Sequence, residues 1–494
     1  MNKAVALILS LSAAYVIGGC AGKDAAPAGV ATASNAVAAV DPRNDDRFTY
    51  ANYKDVAVTH LDLDLDVDFA SKTLRGVATL DLKRVNPAAN VVALDANDLV
   101  VSTVEARSKG RWTPTAFTIS ADAPMLESKL EIALPIDADA VRIAYKTGAG
   151  AEGLQWLDAA QTAGKAHPFL YTQNQSIFAR TMVPCQDTPA VRMTYSARVQ
   201  TPKDLIAVMS AAQDKDGVRD GDYRFDMPQP VPSYLLALAV GDLSFKPISP
   251  TIGVYAEPAL VDAAAAEFVD APRFQEIAER LYGPYRWGRY DMLVLPPSFP
   301  FGGMENPRLT FLTPTVIAGD RSLVNVVAHE LAHSWSGNLV TNATWRDAWL
   351  NEGVTSYVEN RLIEAHFGRE RALMEQALQL ADAERDAASA ARPALTRLAL
   401  PADLQDPDDA FSQIAYGKGQ FFLMFLEQRF GRPAFDAFLK SYFERFAFQS
   451  IRTADFRRYL DETLVAAHPG KATAAELDAW IDGEGFPPTL RRPQ

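Results

Sequence analysis

The chain has 494 residues and a formal net charge of −13, with 48% apolar and 22% charged residues. Its length allows two or three domains, and its composition is globular with apolar material for more than one core. So acidic a surface repels nucleic acid and anionic lipid headgroups, which excludes both as partners. No stretch beyond the N-terminus is long and apolar enough to span a bilayer.

The first twenty residues stand apart. Lys3 supplies a positive charge, Ala4 to Ile17 is almost wholly apolar or small, and Gly18-Gly19-Cys20 follows. The run is too short to span a membrane and reads as a secretory signal. Cys20 after two glycines resembles the lipobox of bacterial lipoproteins, in which the thiol is lipidated and becomes the first residue of the mature chain. Ala21, and not Asp, comes next, so the expectation is a lipid-anchored protein of the bacterial cell envelope, on the outer membrane and facing the periplasm. With Cys20 lipidated only Cys185 remains. The exported chain then has no internal disulfide, and its stability rests on packing.

Residues 21–47 are rich in Ala, with Pro, Gly, Ser and Asn, and read as a flexible tether. From Phe48 the pattern has period two. Leu61, Leu63, Leu65 and Val67 alternate with Asp62, Asp64, Asp66 and Asp68, and Gly76 to Leu82 reads as a paired strand. Alternation means one buried and one wet face. The aspartates fit a solvated strand face better than calcium, because no EF-hand spacing of Gly and Glu accompanies them. Further strands are expected at 141–145, 193–199 and 234–240. Residues 48–247 are therefore read as a β-rich domain. Helical spacing then takes over, at 263–282, 370–391 and 417–430, so residues 248–490 are read as a second, mainly helical domain. The fold class expected is α+β and multidomain.

The strongest chemical signal is His329-Glu330-Leu331-Ala332-His333. Ser322 offers an N-cap and Gly337 a stop, with Val324, Val327, Leu331 and Trp335 at helical spacing between them. Histidines four apart differ by about 40° around a helix and share one face, so both imidazoles can hold one Zn²⁺. After eighteen intervening residues, Glu352 opens a second helix whose apolar stripe runs from Val354 to Ala365 and which Gly368 ends. A carboxylate there completes a His₂Glu set and leaves a fourth position open, the catalytic arrangement. Glu330 sits about 100° from His329, placed to move a proton between water and a leaving amine rather than to bind metal. Glu359, seven residues after Glu352, either orients a ligand histidine or forms a surface ion pair.

With these residues in view, the chain resembles peptidase family M1, the gluzincin aminopeptidases, and most of all the branch with leukotriene A4 hydrolase and aminopeptidase B. Besides the zinc set, the matching segments are Gln173-Asn174-Gln175, residues 184–189, Gly302-Gly303-Met304-Glu305-Asn306, residues 337–342, residues 349–353 and Tyr416-Gly417-Lys418-Gly419. The resemblance runs from about residue 45 to 488. It implies a saddle-like β-domain followed by a thermolysin-like catalytic domain with one Zn²⁺. It implies a substrate-binding segment Gly302, Gly303, Met304 and Glu305 in which Glu305, with Gln175 as a further acceptor, captures the free α-ammonium of a peptide. The two glycines would let substrate backbone approach closely. Tyr416 would donate to the developing oxyanion, and Cys185 is read as a buried structural thiol.

Two departures shape the expectation. The family usually carries a further helical domain, which would begin near Gly485-Phe486-Pro487-Pro488, shortly after which this chain ends. In the leukotriene branch a tyrosine serves epoxide hydrolysis, and Phe411 stands in its place, so that activity is not expected. The expected reaction is zinc-dependent removal of N-terminal residues from peptides. The rival is a lipoprotein that binds peptides and keeps the zinc site with little catalysis.

Overall fold

The computed structural model describes residues 46–123, 126–213 and 219–494. Cys20, the apolar leader and nearly all of the expected tether lie outside the described residues. Among the described residues, no helix is long and apolar enough to cross a membrane.

An eight-stranded sheet dominates the first part of the chain. Near its centre Val56–Asp68 pairs antiparallel with Thr73–Arg84, Leu61 opposite Leu80 and Leu63 opposite Ala78, and parallel with Met193–Gln200. The alternation of the sequence is obeyed: Leu61, Leu63, Leu65 and Val67 are buried, while Asp62, Asp64 and Asp66 face solvent. Each of those buried side chains contributes about 1.5–3 kcal/mol. Ser196 and Arg198 on the neighbouring strand meet Asp62 and Asp64, so the aspartates form a salted strand face. A second sheet of four strands includes Phe169–Thr172, buried along its whole length, and that strand delivers Gln173–Gln175 to the junction with the catalytic part.

The expected strand at 234–240 is only half present. Ser233–Leu235 is a tight helical turn and the strand is Leu238–Gly241. Pro232 fixes the extended entry to the turn, and burial of Tyr234 and Leu235 together breaks the alternation.

A third sheet, of five strands, runs Ser244–Pro247, Ile252–Ala256, Tyr290–Val294, Leu309–Leu312 and, at its edge, Gly303–Met304. The segment 244–247 therefore pairs with catalytic-side strands. Of helices α1 (Ala271–Tyr282), α2 (Asn325–Ala332), α3 (Trp349–Phe367), α4 (Arg369–Ser389) and α5 (Gly419–Phe430), α3 packs against the other four and α2 against the edge strand Gly303–Met304. The stretch read as one helix over 263–282 is two, Val261–Glu267 and α1. A β-rich domain is thus followed by a mainly helical catalytic one. Arg192 stitches the two: its buried guanidinium donates to Pro230 O at 2.8 Å, to Asn338 O at 2.7 Å and to the Thr341 hydroxyl.

Candidate active site

Helix α2 begins at Asn325, two residues later than a Ser322 cap predicts, and no side chain caps it. Residues 322–324 instead form a turn whose Ser322 carbonyl accepts from Arg371 at 2.7 Å. At its other end the chain stops as expected. Gly337 has φ +99°, and a Cβ there would stand 2.2 Å from Asn351 Oδ1, so only glycine fits. His329 lies within α2 and His333 on its closing turn.

Each histidine is aimed by its other nitrogen. His329 Nδ1 lies 2.9 Å from Glu359 Oε2, which settles Glu359 as an orienting carboxylate. His333 Nδ1 lies 3.0 Å from Ser336 O and 3.1 Å from Thr355 Oγ1. Both Nε2 atoms are left pointing at one spot, 3.1 Å apart. Glu352 Oε2, in the first turn of α3, is 3.4 Å from each. Ligands of a tetrahedral zinc at roughly 2.0–2.1 Å stand about 3.3 Å apart, so the triangle has the dimensions of one face of such a site. Glu352 Oε2 is buried without a hydrogen-bond partner, as expected of a carboxylate oxygen aimed at a cation. The donors fit the group the sequence calls for.

The electrostatics agree. Burial opposes charge on His329, but the adjacent carboxylates of Glu352 and Glu359 outweigh it and hold its pKa well above the usual value. Glu352 goes the other way. Burial raises it, but the two imidazoles pull it down to about 2. Glu330 is pushed up to about 8, by burial first, against the pull of His333 and His329. Burial also raises Glu305. The cavity gathers carboxylates and imidazoles whose charges a dication would balance.

Glu305 shares this cavity: its carboxylate, Glu330 and His333 offer atoms all within 4.8 Å of one another. Its Oε1 accepts from Gln175 Nε2 and from Asn351 Nδ2, each at 3.2 Å. Gln175 was expected as an acceptor for substrate. In the structure it donates its amide nitrogen to Glu305. Asn351 was missed by the sequence reading. Its only signal was its place beside Glu352, and only the fold carries it 46 residues back to Glu305.

The glycines divide. A Cβ on Gly303 would stand 2.4 Å from Glu330 Oε1, whereas one on Gly302 would meet only Val326, at 3.7 Å. Gly303 thus makes room for the Glu330 carboxylate rather than for substrate. Met304 is buried, its sulfur accepting from Gln173 Nε2 at 3.3 Å, so only its backbone, on the sheet edge, is offered to the cleft. The Tyr416 ring stacks over His329, centroids 6.0 Å apart. Burial and then the Glu352, Glu305 and Glu330 carboxylates hold its hydroxyl pKa well above the ordinary tyrosine value. Phe411 packs on Trp345. Cys185 is fully buried, and burial raises its thiol pKa, which leaves it inert.

Comparison with known proteins converges on the same reading. Residues 268–480 match the peptidase family M1 domain, and residues 54–235 match the peptidase M1 N-terminal domain. Leukotriene A4 hydrolase of Xenopus laevis is 40% identical over 84% of this chain and 70% of its own length. Human aminopeptidase B is 40% identical over 89% of this chain and 71% of its own. The structure of yeast leukotriene A4 hydrolase with bestatin superposes with a TM-score of 0.85 at 38% identity, over 90% of this chain and 70% of that one. An M1 zinc metallopeptidase of Deinococcus radiodurans bound to a Tyr-Ser-Ala substrate shares the fold over 97% of its length, at a TM-score of 0.70 and 24% identity. On its sequence, its two domains and its His-His-Glu cluster beside Glu305, this chain belongs to peptidase family M1.

Proposed function

We propose that this metallo-aminopeptidase removes single residues from the N-terminus of peptides. The observation that carries the reading is the distance between its two charges. The Glu305 carboxylate stands within 4.8 Å of the ligand atom of His333 and of the Glu330 carboxylate. An α-ammonium bonded to Glu305 at roughly 2.7–2.9 Å leaves room for one residue before the hydrolytic centre, so the first peptide bond is the one placed there.

His329, His333 and Glu352 would hold zinc, which would supply Lewis acidity at the scissile carbonyl and acidify water. The rest is done by this chain. Glu330 Oε2 is buried and without a partner, so it is poised to take a proton from the attacking water and to return it to the leaving amine. Tyr416 keeps its proton, because burial and the carboxylates around it oppose ionisation, and it donates that O–H to the oxyanion. Asn351 and the Gln175 amide fix one oxygen of Glu305. The strand Gly303–Met304 has one partner, Leu309–Leu312, and lies at the edge of its sheet, where it can align an extended peptide.

N-acetylating a peptide substrate tests this directly. The free peptide should lose its first residue, and the acetylated one should resist by at least about two orders of magnitude, as loss of a charge-assisted contact at the reacting end implies. Equal cleavage of both would overturn the reading in favour of an endopeptidase. The segment Lys3 to Cys20 supports lipid attachment in the cell envelope. Fatty-acid labelling that survives Cys20→Ala would remove that proposal.

A further inference from the structure

We propose that Lys418 is a positioning residue for the reaction, holding the Tyr416 hydroxyl in place from behind. The proposal rests on the reading of Tyr416 as oxyanion donor. Tyr416 does not sit on a regular helix but on a single π-helical turn, Ile414–Lys418, wedged before α5. Such turns are rare and occur frequently at functional sites.

Three contacts hold the turn. On one side Gly419 presses on Gly353, the residue after Glu352, so closely that a Cβ on Gly419 would stand 2.6 Å from Gly353 Cα. On another, Gly417 lies against α4, where a Cβ would stand 2.6 Å from the Cβ of Ala383. These contacts stop the turn from moving inward and do nothing to stop it lifting away. Lys418 does. Its fully buried side chain donates from Nζ to Thr396 O at 2.8 Å and to Gly483 O at 2.6 Å. Those two segments are themselves joined, by Leu398 N to Ile481 O at 3.0 Å and Gly485 N to Thr396 Oγ1 at 2.7 Å. One amine thus anchors the Tyr416 turn to a paired layer that belongs to neither α3 nor α4. Two residues apart on such a turn, Tyr416 and Lys418 project in roughly opposite directions.

A double-mutant cycle in the zinc-loaded full chain tests the assignment with an aminoacyl-nitroanilide. Tyr416→Phe alone should cut kcat by about 100-fold, as loss of an oxyanion donor does. If it does not, the reading of Tyr416 fails and the anchor has nothing to position. Given that loss, Lys418→Met should cut kcat roughly tenfold or more in the native background, with KM within about twofold, and by less than about twofold in the Tyr416→Phe background. Equal losses in both backgrounds, or no loss in the native one, would overturn the proposal, since a general packing defect acts whatever residue 416 is. Zinc content and circular dichroism verify that the variants are folded. Should Lys418→Met not fold, Lys418→Gln, which keeps one amide to reach one carbonyl, carries the same cycle with a smaller expected loss. If neither folds, Lys418 is a folding element and the proposal falls.

Discussion

The Glu330 carboxylate is where sequence and geometry meet most closely. Its Oε2 has no partner and its Oε1 lies over Gly303, in the space a Cβ would fill. Two outcomes follow. Glu330→Gln should keep zinc at one per chain and lower kcat by three or more orders of magnitude, because an amide cannot carry the proton. Metal analysis beside turnover checks it, and retained activity would refute the role. Gly303→Ala should lower kcat at least about tenfold with zinc content unchanged, since the new methyl displaces the proton carrier and not a metal ligand. The same change at Gly302, where a Cβ has ordinary contact, serves as the control. The sequence alone treated the two glycines alike. Only the packing of α2 against the strand Gly303–Met304 tells them apart.

At the level of elements, the site is a matter of which helix faces which. Helix α2 supplies the histidines and α3 supplies Glu352, and α3 also supplies Glu359 two turns later, which reaches back to His329 Nδ1. The spacing of Glu352 and Glu359 on one face was legible, because seven residues are close to two helical turns. Whether Glu359 met a histidine or a lysine was not, because that depends on the crossing of two helices. Glu359→Ala should weaken zinc affinity by about 10–100-fold, as loss of a carboxylate behind a ligand imidazole does. Titration against a competing chelator measures it, and an unchanged affinity would reduce Glu359 to a bystander. The start of α2 shows the opposite lesson. Ser322 has every property of an N-cap, yet its carbonyl is taken by Arg371 of α4, and a tertiary contact overrides the local preference.

At the scale of the whole molecule, the catalytic half is closed by buried polar ties rather than by disulfides. Arg192 joins the two domains, and Lys418 joins the Tyr416 turn to the layer formed by residues 396–399 and 481–485. Burial lowers the Lys418 pKa to about 7, with Arg397 adding to the effect, against roughly 10.4 in an unfolded chain. Between those values the unfolded chain binds more protons than the folded one, so this group favours folding increasingly as pH rises from about 7 towards 10. Relative to Lys418→Met, the native protein should therefore gain melting temperature over that range, by an amount on the order of a few kcal/mol of stability. Parallel melting curves for the two proteins would show instead that Lys418 titrates normally.

The paired histidines with Glu330 between them and the period-two strands were written in the order of residues, because helical and strand periodicity are local. Helix pairing, sheet edges and the reach of Asn351 and Lys418 came only with the fold. Those contacts join residues tens of positions apart, and a contact of that kind exists only once packing has chosen which surfaces meet.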